Sequence, residues 1–297
     1  MRYSLRQLEV FLAVAAGESV SRAARVLGMS QSAVSGSLAE LERQFDIALF
    51  DRVGKRLRLN ELGRSLRPSV EAVVSQANEL EQRLGSKSES GALRVGATLT
   101  VGNYLTAPLI AEFLRDDPSA KVSLKLENTA EIARAVLNFE LDVALVEGEL
   151  QDSELEVSAF REDELVVFCA PEHPFARRRS LSDADLSSAR WIVREPGSGT
   201  RQAFDHAMHG LLPELDIAFE LQETEAIKSA VKAGLGVGCI SRIALDEPFR
   251  LKSLMPCRVP HRDFRRQFYS VVHRQKHRSR AIRRWLTLCE RRRRAAP

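Results

Sequence analysis

The chain has 297 residues, 44% hydrophobic and 28% charged, which suits about two domains with a core of ordinary size in each. No apolar run approaches the roughly 20 residues that span a bilayer. The start, Met1-Arg2-Tyr3-Ser4-Leu5-Arg6-Gln7, lacks the apolar stretch and small-residue cleavage site of a secretion signal, so a cytoplasmic protein is expected. The net charge of +4 is uneven, because His273 to Pro297 holds ten Lys/Arg against one acid, Glu290; that tail carries +9 and leaves the rest at −5. A pI near 9 is therefore no evidence by itself for a nucleic-acid partner.

Leu5, Leu8, Phe11, Leu12 and Ala15 recur at helical spacing and predict a helix over 4–16, ended by Gly17. Ser19 is placed to cap a second helix, Val20 to Leu27, which buries Ala23, Ala24 and Leu27. After the turn at Gly28-Met29, Ser30 caps a third helix from about Gln31 to Gln44, with Val34, Leu38, Leu41 and Phe45 as its apolar stripe. Two helices joined by a tight Gly-containing turn form the helix-turn-helix pattern, and small Ala23 and Ala24 allow the close crossing it demands. The other face of the third helix carries Gln31, Ser32, Ser35 and Ser37, short donor–acceptor groups suited to base edges in the major groove. A plain three-helix bundle is the alternative, although its exposed face would more often carry Glu and Lys.

Leu49 to Leu59 then predicts two short strands about a Gly turn, with Arg52, Lys55, Arg56 and Arg58 around it. Beside a helix-turn-helix this basic hairpin is a wing facing phosphates; apart from one it is a solvated hairpin. Leu66, Val70, Val73, Ala77, Leu80 and Leu84 follow at alternating four- and three-residue steps, a narrow heptad seam suited to pairing with a second copy. Pro68 is expected to start that helix or to kink it. Gly85 to Gly91 has a flexible-linker composition.

Beyond it, strands and helices alternate: strands at Leu93–Ala97, Val122–Leu126, Val143–Val146, Leu165–Cys169 and Trp191–Val193, with helices from Tyr104 to Leu114 and Ile132 to Asn138. This predicts an α/β domain with a largely parallel sheet, whose ligands bind at the carboxyl ends of its strands. Two loops there stand out, Thr98-Leu99-Thr100-Val101-Gly102-Asn103 and Glu195-Pro196-Gly197-Ser198-Gly199-Thr200. Each offers hydroxyls and free N–H groups at a helix start, either an anion site or simple helix capping.

Leu5-Arg6-Gln7-Leu8-Glu9-Val10-Phe11, Ser21-Arg22-Ala23-Ala24, Ser30-Gln31-Ser32-Ala33-Val34-Ser35, Leu41-Glu42 and Leu49-Phe50-Asp51-Arg52 come in order and at the right spacing. In these strings the chain resembles the LysR-type transcriptional regulators. Gly36 departs from the pattern, standing where many members carry a basic residue. The resemblance continues through 96–105, 141–148 and 195–201, which look like the branch of regulators of sulfur metabolism and carbon fixation. It implies a winged helix-turn-helix head at 1–60, a dimerising helix and hinge at 61–90, and a periplasmic-binding-protein-like effector domain at 91–297. Subdomain I would span about 91–161 and 267–297, and subdomain II about 162–266. It further implies DNA contacts at Arg22, Gln31, Ser32, Ser35, Ser37, Arg52, Lys55 and Arg56, and effector contacts at Thr98, Thr100, Ser198, Gly199 and Thr200, with Glu147-Gly148 at the cleft edge. The expected partners are double-stranded DNA, a small-molecule effector such as an oxyanion or small carboxylate, RNA polymerase if the protein activates, and further copies in a homodimer or homotetramer.

Other signals carry less. Cys169, Cys239, Cys257 and Cys289 lie far apart, without a Cys-x-x-Cys pair, and are expected as small core hydrophobes. Gly234-Leu235-Gly236-Val237-Gly238 follows a helix and precedes a strand, the reverse of a dinucleotide loop, so Gly234 is expected to end that helix and no cofactor is implied. His206 and His209 have metal-ligand spacing but no third ligand, and exposed helix surface is expected. Arg291 to Arg294 is expected as a solvated, partly disordered end. A solute-binding protein fits the second domain alone but not the head, and no nucleophile or acid–base cluster supports an enzyme.

Overall fold

The computed structural model describes residues 2–53, 56–85 and 92–295; Lys55 and most of the expected 85–91 linker lie outside them. In the head, Ser4 caps α1 (Leu5–Gly17) by a reciprocal box with Gln7, and Glu18 ends the helix in the left-handed region. Ser19 caps α2 (Val20–Leu27), Gly28 turns the chain at φ 63°, and Ser30 caps α3 (Gln31–Phe45). Val10, Phe11, Val14, Ala23, Ala24, Val34, Leu38 and Leu41 close one core, to which the antiparallel hairpin of β1 (Phe50–Val53) and β2 (Arg56–Leu59) adds Phe50 and Leu59. Phe45 departs from the expected stripe: as the last residue of α3 it is 40% exposed and leans on the Tyr3 ring.

Helix α4 (Glu61–Gly85) starts well before Pro68, which lies inside it. Asn60 provides the start by accepting from the Gly63 N–H at 2.8 Å. Glycine is required at 63, since a Cβ there would come within 2.4 Å of the Leu49 carbonyl oxygen. Of the seam, Leu66, Val73, Leu80 and Leu84 are exposed, whereas Val70 packs on the head core.

The second part runs β3 (Leu93–Thr98), α5 (Leu99–Val101), a π-turn over Gly102–Thr106, α6 (Ala107–Asp116), β4 (Val122–Glu127), α7 (Thr129–Leu137) and β5 (Val143–Glu147). Then come β6 (Leu155–Cys169), α8 (Asp183–Ser188), β7 (Arg190–Arg194), α9 (Gly199–Ala207), β8 (Asp216–Leu221), α10 (Thr224–Lys232) and β9 (Val237–Ser241). The described chain closes with α11 (Asp246–Arg250), β10 (Met255–Cys257), β11 (Arg265–His273) and α12 (Arg280–Ala295). The strand order is β4-β3-β5-β11-β6-β9-β7-β8, with β10 also paired to β6. Parallel pairing holds within β4-β3-β5 and within β9-β7-β8. The two groups are joined by an antiparallel β6/β11 ribbon whose register shifts at Phe268/Tyr269.

Each group has its own core, one around Phe113, Leu145, Phe268 and Trp285, the other around Leu165, Leu186, Trp191 and Phe204. The result is an α/β domain of two subdomains beneath a helix-turn-helix head. The expected disordered tail is corrected: Arg291 to Arg294 continue α12, which is anchored by Trp285 edge-on to Phe113 at 5.8 Å and by an Arg292–Glu112 ion pair. Lys276, almost fully buried, pairs with Glu71 of α4 and with Asp142, which Arg94 also holds at 2.7 Å. These charges clasp α4 to the first subdomain.

Candidate DNA-reading face and anion cage

On the head, Gln31, Ser32 and Ser35 of α3 are exposed and Ser37 is half-buried. The Ser32 hydroxyl lies 3.0 Å from that of the cap, Ser30. Space is open where a Cβ on Gly36 would stand, so this part of α3 faces outward. Arg22 is exposed, with its stem running back over Gly17, and Arg52 is exposed on β1. Arg58 is partly committed, since Glu18 lies 3.9 Å from it and also accepts from the Leu59 N–H at 3.2 Å. Glu18 thus fixes the hairpin against the end of α1, and with it the hairpin's angle to α3.

The second cluster forms where β3 and β5, adjacent and parallel, end together. Glu147, the last residue of β5, is buried to 1% exposure, at the centre of the expected effector residues and not at an edge. Its Oε1 accepts from the Thr98 hydroxyl at 2.9 Å and from the Thr100 N–H at 3.0 Å. Its Oε2 accepts from the Thr200 hydroxyl at 2.6 Å and from Arg266 Nη1 at 2.9 Å. Burial alone would raise the pKa of this carboxyl, but Arg266, Thr200, Arg194 and Thr100 outweigh it and hold it at about 2.

Arg266 is itself braced. Nη1 also donates to Thr200 at 3.0 Å, Nε donates to Asp163 at 2.7 Å, and Asp163 accepts from Ser241 at 2.7 Å. Its Nη2 is buried without a partner among the described residues. Thr129 locks the far side, donating to the Glu147 carbonyl at 2.8 Å and accepting from the Gly199 N–H at 3.1 Å. A Cβ at 199 would stand 2.2 Å from that carbonyl, so only glycine lets α9 approach β5 so closely.

The two conspicuous loops therefore differ. Thr98 stands at the N-cap of α5, yet its hydroxyl turns to the carboxylate. Ser198 caps α9 by accepting from the Thr200 N–H at 3.2 Å, as simple capping would have it. Thr98, Thr100, Glu147 and Thr200 are brought together; Ser198 and Gly199 support the cage from behind. Sequence reasoning missed Arg266, Thr129, Asp163 and Ser241. Arg266 stands in the charged run Arg262-Asp263-Phe264-Arg265-Arg266, where nothing local marks which arginine turns inward.

The elements beside the cage agree with smaller expectations. Gly234 follows α10 at φ 79°, and His206 and His209 are exposed. Among the described residues no helix is long and apolar enough to cross a membrane.

Two family models match in tandem: "Bacterial regulatory helix-turn-helix protein, lysR family" over residues 5–64 and "LysR substrate binding domain" over 86–294. The chain is 42% identical over 290 residues to the HTH-type transcriptional regulator YeiE of Escherichia coli K12, covering 98% of each. It is 34% identical over 278 residues to the RuBisCO operon transcriptional regulator of Allochromatium vinosum, covering 93% of this chain and 92% of that one. Among solved structures, the CcmR regulatory domain of Synechocystis PCC6803 in complex with 2-PG superposes with a TM-score of 0.65 at 27% identity, over 70% of this chain and 99% of that one. The names of the Allochromatium vinosum relative and of the HTH-type transcriptional regulator CysL of Bacillus subtilis, 31% identical over 242 residues and covering 80% of each, are consistent with the branch that the strings of the second domain resemble.

Proposed function

Because the chain belongs to the LysR-type family of bacterial helix-turn-helix transcriptional regulators, we propose that it reads duplex DNA through α3 and the β1–β2 wing as a homodimer or homotetramer, and that a small anion engaging the cage around Glu147 sets its regulatory state. The observation that carries the effector reading is the set of four donors on the Glu147 carboxylate. Thr98 and Thr100 come from the first subdomain, Thr200 from the second, and Arg266 from the ribbon between them.

Such a cage suits the charge and acceptor geometry of a small oxyanion or carboxylate. An anion that takes some of these donors from Glu147, or uses the spare Nη2 of Arg266, changes what holds the two halves together. It shifts the protein's state only to the extent that it binds one subdomain arrangement more tightly than the other. The cage is a receptor in this reading, not a catalytic centre, because the hydroxyls of Thr98, Thr200 and Thr129 are spent on holding Glu147 and that of Ser198 on capping α9. Working as an activator, the bound oligomer would also meet RNA polymerase.

The test is anisotropy binding to the DNA upstream of the protein's own gene, at several salt concentrations, with and without sulfite, sulfate and thiosulfate. Tight, salt-dependent binding above that to scrambled DNA supports the regulator reading, and a shift with one anion supports the cage as its receptor. Binding no better than to scrambled DNA, repeated with captured genomic fragments, would count against the assigned DNA face.

A further inference from the structure

We propose that Cys169 and Cys257 form an oxidisable dithiol, which a small neutral peroxide closes into a disulfide inside the folded second subdomain. The two residues are 88 apart in sequence, and their sulfurs lie 3.5 Å apart. Cys169 ends β6 and Cys257 ends β10; the antiparallel register sets Met255 opposite Cys169 and Cys257 opposite Val167. The cysteines are thus diagonal neighbours on one face of the sheet, where side chains two places apart in register approach each other. A disulfide needs the sulfurs at about 2.05 Å, a closure that rotation of the two side chains and a small shift of β10 provides. With only three residues, β10 is held by little.

The environment gives the sulfurs different tasks. The Cys257 thiol donates to the Cys169 sulfur, which lowers the Cys169 pKa against the opposing effect of burial. The same contact, with burial, pushes the Cys257 thiol up. Cys169 is therefore the attacking sulfur and Cys257 the resolving one. In the first step the Cys169 thiolate forms an S–O bond as the peroxide O–O bond breaks; the leaving hydroxide takes a proton and departs as water. In the second, the Cys257 sulfur forms the S–S bond as the S–O bond breaks, and its proton leaves with the hydroxide as a second water. Two thiols lose two electrons, and one peroxide becomes two waters.

Access and selectivity follow from the surroundings. Cys257 and Val167 line a surface cavity of about 620 Å³, roomy for a peroxide. Cys169 is fully buried and outside that lining, so a peroxide reaches its sulfur past Cys257, 3.5 Å away, as β10 shifts. Cys239 faces Val167 from β9, on the opposite side of β6, and burial pushes its thiol up. Cys289 belongs to the core of the first subdomain. The product would tie β10 to the end of β6, the strand that runs through both subdomains.

The test uses the full chain, freed of reductant and exposed to hydrogen peroxide while folded. It is then quenched, denatured in iodoacetamide, digested and mapped by mass spectrometry. Two of the four thiols should be lost, with a Cys169–Cys257 crosslink that dithiothreitol reverses. Cys239→Ser should form the same crosslink, and Cys257→Ser should leave a Cys169 sulfenic acid that dimedone traps. Mapping of the unsubstituted chain decides the matter even where a variant folds poorly. Four thiols still alkylated after excess peroxide would overturn the proposal, as would a crosslink between other cysteines or irreversible oxidation of Cys169 without any crosslink.

Discussion

Arg266 meets Glu147 at 2.9 Å with both side chains almost wholly withdrawn from water, and the same guanidinium reaches Asp163 at 2.7 Å. One cation thus joins the end of β5 to the middle of β6. Neither carboxylate could be buried there alone, since an unpaired interior charge costs several kcal/mol. The ion pair belongs both to the ribbon's stability and to the cage.

Glu147→Ala removes half of that pair and leaves Arg266 with the Asp163 carboxylate and the Thr200 hydroxyl. A loss of about 3 kcal/mol in stability is expected, the usual consequence of breaking a buried pair from one side. Added sulfate should restore part of it by mass action on the emptied donors, raising the melting temperature of the variant more than that of the parent. A variant indifferent to every small oxyanion tested would speak against the cage as a receptor.

The Glu147 carboxyl has a folded-state pKa of about 2, below the ordinary value of 4.5. A group depressed on folding stabilises the protein above its unfolded pKa, and the benefit drains away as pH falls through the folded one. The unsubstituted chain should therefore lose on the order of 3 kcal/mol from this group between about pH 5 and pH 2. Urea titrations of parent and Glu147→Gln across that range should converge at the acid end; parallel curves would refute the assignment.

Thr200 donates its hydroxyl to Glu147 and accepts from Arg266, whereas Thr100 contributes a main-chain N–H to the carboxylate. Thr200→Val should weaken the anion response severalfold while leaving DNA affinity without anion unchanged. Thr100→Val keeps its N–H and should respond more nearly like the parent. Equal losses from both would point to packing, not to the donors.

On the head, Arg52→Ala should weaken binding to all DNA sequences alike and lower the salt slope by about one unit for each phosphate it no longer neutralises. Gln31→Ala should instead cost about 1–3 kcal/mol on the operator and relax the base preference at one position. Anisotropy on operator and scrambled duplexes separates the two effects.

Leu80 and Leu84 are 56% and 80% exposed on α4, so replacing them by Glu removes little intrachain packing. Leu80→Glu with Leu84→Glu should leave the helical content intact and shift the sedimenting species towards monomer. Unchanged assembly in the ultracentrifuge would show that the seam is not the pairing surface.

Apart from Phe45, the helices of the head were legible from the sequence, because caps, a left-handed glycine and a 3.6-residue apolar period are local signals. Ser19, Gly28 and Ser30 mark the boundaries of α2 and α3 that the structure has. The strands β3, β5, β7 and β9 were legible for a similar reason, as apolar runs buried within the subdomains. Most of β6 and all of β11 were not. Glu156, Arg161, Glu162, Asp163, Arg265 and Arg266 interrupt their apolar pattern; Glu156, Arg161, Glu162 and Arg265 face solvent, and the buried pair, Arg266 with Asp163, forms only once β11 lies beside β6.

Short-range pattern in the chain was thus enough for the family, the head and the exposed polar face of α3, and the two loops that meet at the strand ends. It took the folded sheet to place Glu147 inside the cage, to pair it with Arg266 119 residues away, and to bring Cys169 against Cys257. These contacts join segments that are neighbours only after the sheet has formed. A buried charge depends on a partner whose position no local period encodes.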